Sequence, residues 1–113
     1  TVHGPPLTSG NNIIAALSRP TASIAGTSQF GLNLRSNTVP LVGSDPTGPG
    51  TITPATGYDS PNQFKLGDGD VVASTTGATD FSTLTVSYLV NISPSQAIGV
   101  YDTTLTYICT ASF

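Results

Sequence analysis

Leu84-Thr85-Val86-Ser87-Tyr88-Leu89-Val90-Asn91-Ile92 alternates apolar and other residues with a period of two. That period is the mark of a β-strand with one buried face. Extended back to Phe81 and on to Ser93, the pattern predicts a strand whose inward side chains are Leu84, Val86, Tyr88, Val90 and Ile92. Thr83, Thr85, Ser87, Leu89 and Asn91 take the other face. Ser93-Pro94-Ser95-Gln96 ends it. From about Gly99 a second strand runs to Phe113, with Tyr101, Leu105, Tyr107, Cys109, Ala111 and Phe113 on one side and Asp102, Thr104, Thr106, Thr110 and Ser112 on the other, Ile108 being the exception. A short connection between two such strands predicts an antiparallel hairpin.

Working outward, Ser28–Arg35 alternates as well, with Phe30, Leu32 and Leu34 facing in and Gln29, Asn33 and Arg35 facing out. Gln63–Leu66 and Asp70–Ser74 are shorter strand candidates, and Ile13–Leu17 fits either a strand or one helical turn. Thr38–Asn62 carries Pro40, Gly43, Pro46, Gly48, Pro49, Gly50, Pro54, Gly57 and Pro61. Proline donates nothing to a ladder, so this stretch reads as a long surface loop with at most an edge strand near Thr51-Ile52-Thr53. The candidate core is Phe30, Leu32, Leu34, Phe64, Leu66, Val71, Phe81, Leu84, Val86, Tyr88, Val90, Ile92, Tyr101, Leu105 and Tyr107. Many short strands separated by turn residues predict one all-β domain over 1–113, an antiparallel β-sandwich.

Composition narrows the function. Charged residues are 8% of 113, with no Glu, and Thr and Ser together make up 31 residues. Arg19, Arg35 and Lys65 are the only Lys and Arg residues, too few for a nucleic-acid footprint or a polybasic membrane patch. No apolar run approaches the length of a membrane span. The chain opens on Thr1-Val2-His3-Gly4, which reads as part of a strand. The expectation is a mature product of a longer precursor whose upstream segment is missing.

Two stretches carry a resemblance. Ala97-Ile98-Gly99-Val100-Tyr101-Asp102-Thr103-Thr104-Leu105-Thr106-Tyr107 resembles the closing hairpin of many secreted bacterial Ig-like and fimbrial-type sandwiches. Gln29-Phe30-Gly31-Leu32-Asn33-Leu34-Arg35 together with Thr106-Tyr107-Ile108-Cys109-Thr110-Ala111-Ser112-Phe113 is similar to a family of uncharacterised secreted surface proteins of reduced-genome bacteria. The resemblance implies an Ig-like sandwich, a cell-surface location and a structural role. It supplies no catalytic residue and no cofactor.

Candidate chemistry is sparse. Gly67-Asp68-Gly69-Asp70 places two carboxylates among glycines, as a calcium loop does, but lacks the remaining ligands and reads first as a tight turn. A nucleophile needs an adjacent base, and His3, the only histidine, sits at the start of the chain. Cys109 is the single cysteine: a buried small hydrophobe, or half of a disulfide with a partner outside this chain. Catalytic residues, metal ligands and cofactors are accordingly expected to be none. Two functional expectations follow. The first is a structural subunit of an extracellular, pilus-like filament or surface layer, its sheet completed by a strand from a neighbouring copy. Residues 1–17 are then the donor arm, with Ile13, Ala15 and Leu17 as knobs. The alternative is an adhesin or carbohydrate-binding module that contacts glycans or other surface proteins through Tyr58 and Asp59 in the 38–62 loop.

Overall fold

A computed structural model describes residues 1–111. Ten short strands run in chain order: β1 (Val2–His3), β2 (Leu7–Ser9), β3 (Asn12–Ile14), β4 (Gln29–Asn33), β5 (Asn37–Thr38), β6 (Leu41–Val42), β7 (Thr53–Pro54), β8 (Ala73–Ser74), β9 (Ser87–Asn91) and β10 (Thr106–Tyr107). There is no helix among the described residues. The chain is therefore all-β. Every strand pair is antiparallel, and the ladders form five two-stranded pieces rather than two continuous sheets. The molecule is longer than it is wide, with extents of 48 × 28 × 20 Å.

The axis of the fold is β4 with β9, in the register Gln29↔Asn91, Phe30↔Val90, Gly31↔Leu89, Leu32↔Tyr88 and Asn33↔Ser87. The other edge of β4 is covered too. Leu17 N–H donates to Phe30 C=O (2.8 Å), and Leu32 and Lys65 exchange both backbone bonds (2.9 and 3.0 Å). All five residues of β4 are buried. The expected polar outer face of this strand is thus corrected: Gln29 and Asn33 are as deeply buried as Leu32. Burial of a polar group is tolerable only when it is hydrogen-bonded. Gln29 Oε1 accepts from Ile24 N–H and Asn91 Nδ2, and its Nε2 donates to Ala22 C=O. Asn33 Nδ2 donates to Asn37 Oδ1 (2.6 Å) and Gln63 C=O (3.0 Å), while its Oδ1 accepts from Asn37 Nδ2 (2.9 Å). Gly31 lies between them because a Cβ there would press on Lys65 N, Phe64 Cβ and Leu17 Cδ1 at 3.1–3.3 Å.

The apolar core gathers Val2, Ile14, Phe30, Leu32, Leu34, Tyr58, Leu66 and Val72, with Leu7, Leu84, Val86, Tyr101 and Leu105 packed against it. Val72 takes the place expected for Val71, which is exposed, as is Phe81. The stretch Ile13–Leu17 begins as a strand, since β3 pairs with β2 around the Gly10-Asn11 turn.

Two expectations about the long strands are overturned. Ladder pairing of the 81–93 segment with the tail gives way to more distant partners. β9 joins β4, Asp102 bridges Thr8, and β10 joins β1. The last expected strand residues, Ser112 and Phe113, lie outside the described residues. The burial along β9 is also the reverse of the expected one: Ser87 and Leu89 are buried, while Tyr88 (46%), Val90 (50%) and Ile92 (57%) are exposed. Residues directly opposite each other in a ladder share a face. Tyr88 and Val90 therefore do stand on the same side as Leu32 and Phe30, as the alternation predicts. They stay open because no strand among the described residues pairs with the outer edge of β9.

The Gly/Pro-rich segment is ordered by short pairings rather than looping free. β5 and β6 form one hairpin, and β7 pairs with β8. Asn62, at φ 62°, pins β5 from the far end of the segment, its Oδ1 accepting from Thr38 and Val39 N–H at 2.8 and 2.9 Å.

Candidate functional site

The most tightly connected ionic cluster joins Tyr58, Lys65 and Asp70. The turn Gly67–Asp70 closes with Asp70 N–H donating to Gly67 C=O, and Gly69 supplies the positive φ (85°) that such a turn needs. The turn swings the Asp70 carboxylate back over the chain. Its Oδ2 accepts from Lys65 Nζ (2.5 Å) and from the Tyr58 hydroxyl (2.7 Å). The same hydroxyl oxygen accepts from Gly67 N–H (3.1 Å), and Lys65 Nζ stands 5.2 Å from the Tyr58 ring centre. Burial and the bond to Asp70 push the Tyr58 phenol well above its ordinary range. Lys65 first, then Tyr58, hold the Asp70 carboxyl below the usual carboxylate range. An ionised acid whose Oδ2 is held by both a cation and a phenol acts as a structural clasp between the 58, 65 and 70 positions.

The clasp has a pH signature. A carboxyl whose pKa is lower folded than unfolded stabilises the fold above its unfolded value, about 3.9. That contribution disappears as pH falls through the folded value. Asp70→Asn is expected to cost about 1–3 kcal/mol at neutral pH. The gap from the native chain should narrow progressively in urea titrations repeated from about pH 7 down through about pH 4 to about pH 3. A gap that persists unchanged in acid would show that the ionised form is not what matters.

The residues expected to form sites are dispersed. Tyr58 is 1% exposed, so it belongs to the core and presents no surface to a ligand, while Asp59 is exposed and accepts from Gly57 N–H. The Gly/Pro spacing signalled a loop, and nothing in it revealed that the loop folds its aromatic residue inward onto Asp70. Asp68 does not join Asp70 in a shared site; it accepts from Gly4 N–H and lies 3.9 Å from His3. Among the described residues no group of three or more His, Cys, Asp or Glu is close enough to hold a metal ion, and no helix is long and apolar enough to cross a membrane. Cys109 is free and exposed rather than buried. Residues 1–17 are folded into their own chain through β1, β2 and β3; Ile13 and Ala15 are exposed there, Leu17 is half-buried and Ile14 fills the core.

The feature that alternation did not anticipate is a cleft beside β9. Leu32 spends its backbone bonds on Lys65, so Leu32↔Tyr88 and Phe30↔Val90 are the pairs that do not hydrogen-bond within the β4–β9 ladder. The N–H and C=O groups of Tyr88 and Val90 consequently point outward, and they meet no backbone partner among the described residues. Across the cleft, Asp102 exchanges both backbone bonds with Thr8 (3.0 Å each). Its neighbours Tyr101 and Thr103 have no backbone partner among the described residues and line the cleft. Two open, shallow hollows of about 440 and 420 Å³ lie here, sharing Val90 and Tyr101 in their lining, with Phe30 and Leu105 lining the first and Ile14 the second. At one end the Tyr88 and Tyr107 hydroxyls meet at 2.6 Å; at the other, Gln96 Nε2 donates to the Tyr101 hydroxyl (2.8 Å).

No known protein family, curated protein or solved structure matches the chain. The geometry of the cleft therefore carries the functional argument.

Proposed function

We propose that the chain is a non-enzymatic structural subunit of an extracellular bacterial filament, pilus-like, or of a surface layer, and that its copies join by β-strand addition. The observation that carries this reading is the outer edge of β9. It offers unpaired backbone groups beside the exposed Tyr88, Val90 and Ile92. An open apolar edge is a pairing template that natural sheets cover, charge or twist away. β9 carries no charged residue and no proline. Strand addition draws its strength from backbone bonds and its register from side chains entering pockets. The low charge of the chain favours this use, because like subunits packed together repel little. An Ig-like, fimbrial-type sandwich completed between neighbours is the fold that goes with this reading.

The binding-module alternative names Tyr58 and Asp59 in the 38–62 loop; the Tyr58 ring is buried, which leaves Asp59 as the exposed residue of that pair. The test is a concentration series of the purified chain followed by light scattering and electron microscopy. Regular polymers that lengthen with concentration are expected. A chain that remains monomeric throughout overturns the proposal.

A further inference from the structure

We infer that the cleft between β9 and residues 96–105 is an acceptor slot for one extended strand, and that its occupant is the Cys109–Ala111 segment of a second copy of this chain. The inference rests on the filament reading and specifies its joint.

The slot asks for an extended peptide because Tyr88 and Val90 present backbone groups in ladder orientation on one rim, while Tyr101 and Thr103, with no backbone partner among the described residues, line the other. A small molecule or a flat protein surface would leave those groups unpaired. The slot also sets the charge of its occupant. Asp102 is the only charged residue lining it, so an acidic strand would be repelled and any charge would be buried against Tyr, Val and Ile side chains. Residues 103–113 of this chain contain no Asp, Glu, Lys or Arg. Within that stretch Ile108, Cys109, Thr110 and Ala111 are exposed, and residues 109–111 have no backbone partner among the described residues. Their alternation places the small Cys109 and Ala111 on one face, which suits a cleft already lined by Phe30 and Leu105. The N-terminal segment is less suited to the role, because β1 and β2 are bonded to β10, β3 and Asp102 of their own chain.

A donor from the same molecule would have to reverse direction. Leu105 and Tyr107 run alongside Tyr88, with Tyr101 level with Val90 and Ile92, so Cys109 continues away from Val90 in its own chain. A strand from a neighbour has no such restriction, and a head-to-tail contact of this kind propagates into a fibre.

The experiment uses the full chain with Val90→Cys added to the native Cys109, oxidised mildly under assembling conditions and run on non-reducing gels. Disulfide-linked dimers and a ladder of higher species are expected, and they should vanish when Cys109→Ser is combined with Val90→Cys. Leu41→Cys, at an exposed position on β6, should give no ladder with Cys109. In parallel, Val90→Lys, at a half-exposed position, should retain the native circular dichroism and raise the concentration needed for assembly by at least about tenfold, because it carries a charge into the slot. Cross-links that survive Cys109→Ser would mean that two β9 edges pair with each other, which overturns the tail as occupant. Wild-type polymers that are indifferent to Val90→Lys and give no cross-link would overturn the slot while leaving the filament reading standing. A chain that never assembles overturns both.

Discussion

Phe64→Ala is expected to lower the unfolding free energy by about 3–5 kcal/mol. Phe64 is 0% exposed, the largest fully buried side chain after Tyr58. Its backbone is held on both sides by Thr21, with N–H donating at 2.9 Å and C=O accepting at 3.0 Å, so the main chain has little freedom to collapse into the space the ring leaves. Its Cβ packs directly under Gly31 in the central strand, so the void would open beside β4. A domain of this size has a total stability of about 5–15 kcal/mol, so the variant should unfold near or within the assay temperature range. Urea titration of native and variant chains, compared at equal slope, measures the loss. A cost below about 1 kcal/mol would mean that the ring is not packed as described.

The second large effect is expected at Asn33. Asn33→Leu keeps the branched shape of the side chain, adds bulk, and removes both the donor and the acceptor from a buried network. Asn37 Oδ1 and Nδ2 and the Gln63 carbonyl would lose their bonds to Asn33. Each of these three bonds contributes about 0.5–1.5 kcal/mol net, so losing them together costs about 1.5–4.5 kcal/mol. Asn37 also holds the turn, its Nδ2 donating to Arg35 and Val42 carbonyls and its Oδ1 accepting from Asn62 N–H, so the loss should spread into β5, β6 and the 60–63 segment. Hydrogen exchange is the discriminating measurement: protection should fall at Asn37, Val42 and Asn62 together. A variant as stable as the native chain would mean that the network is replaceable by apolar packing.

These two sites mark what was legible in the residue order. Phe64 was readable as core from its place in a short apolar strand candidate, and so were Phe30, Leu32, Leu34 and Leu66. Asn33 was not. Period-two alternation assigns a polar residue in a strand to solvent, and that rule fails when both faces of a strand are covered. Gln29 and Asn33 look like surface residues in sequence and become interior because partners as distant as Asn91 and Gln63 bond them. The same blindness applies to Tyr58: the loop was visible, whereas the Asp70 carboxylate that draws its hydroxyl inward is 12 residues away.

The candidate slot shows the opposite failure. The apolar stripe Tyr88, Val90, Ile92 was plain, and its reading as a finished core face was the natural one. Alternation reports which side chains share a face; it does not report whether a second layer reaches that face. β9 lies at the open margin of the core because its neighbour in sequence, the tail, bonds instead to Thr8 and to β1.

By itself, then, the amino-acid sequence determined the class of structure: β-branched residues in short alternating runs, broken by glycine and proline and almost free of charge, admit strands and little else. It also determined which side chains stand together on each strand, since the pleat enforces that locally. The choice of partner for each strand, the burial of Gln29, Asn33 and Tyr58, and the open edge of β9 were settled only in three dimensions. Backbone pairing and desolvation depend on segments tens of residues apart, and no local pattern records which of them will meet.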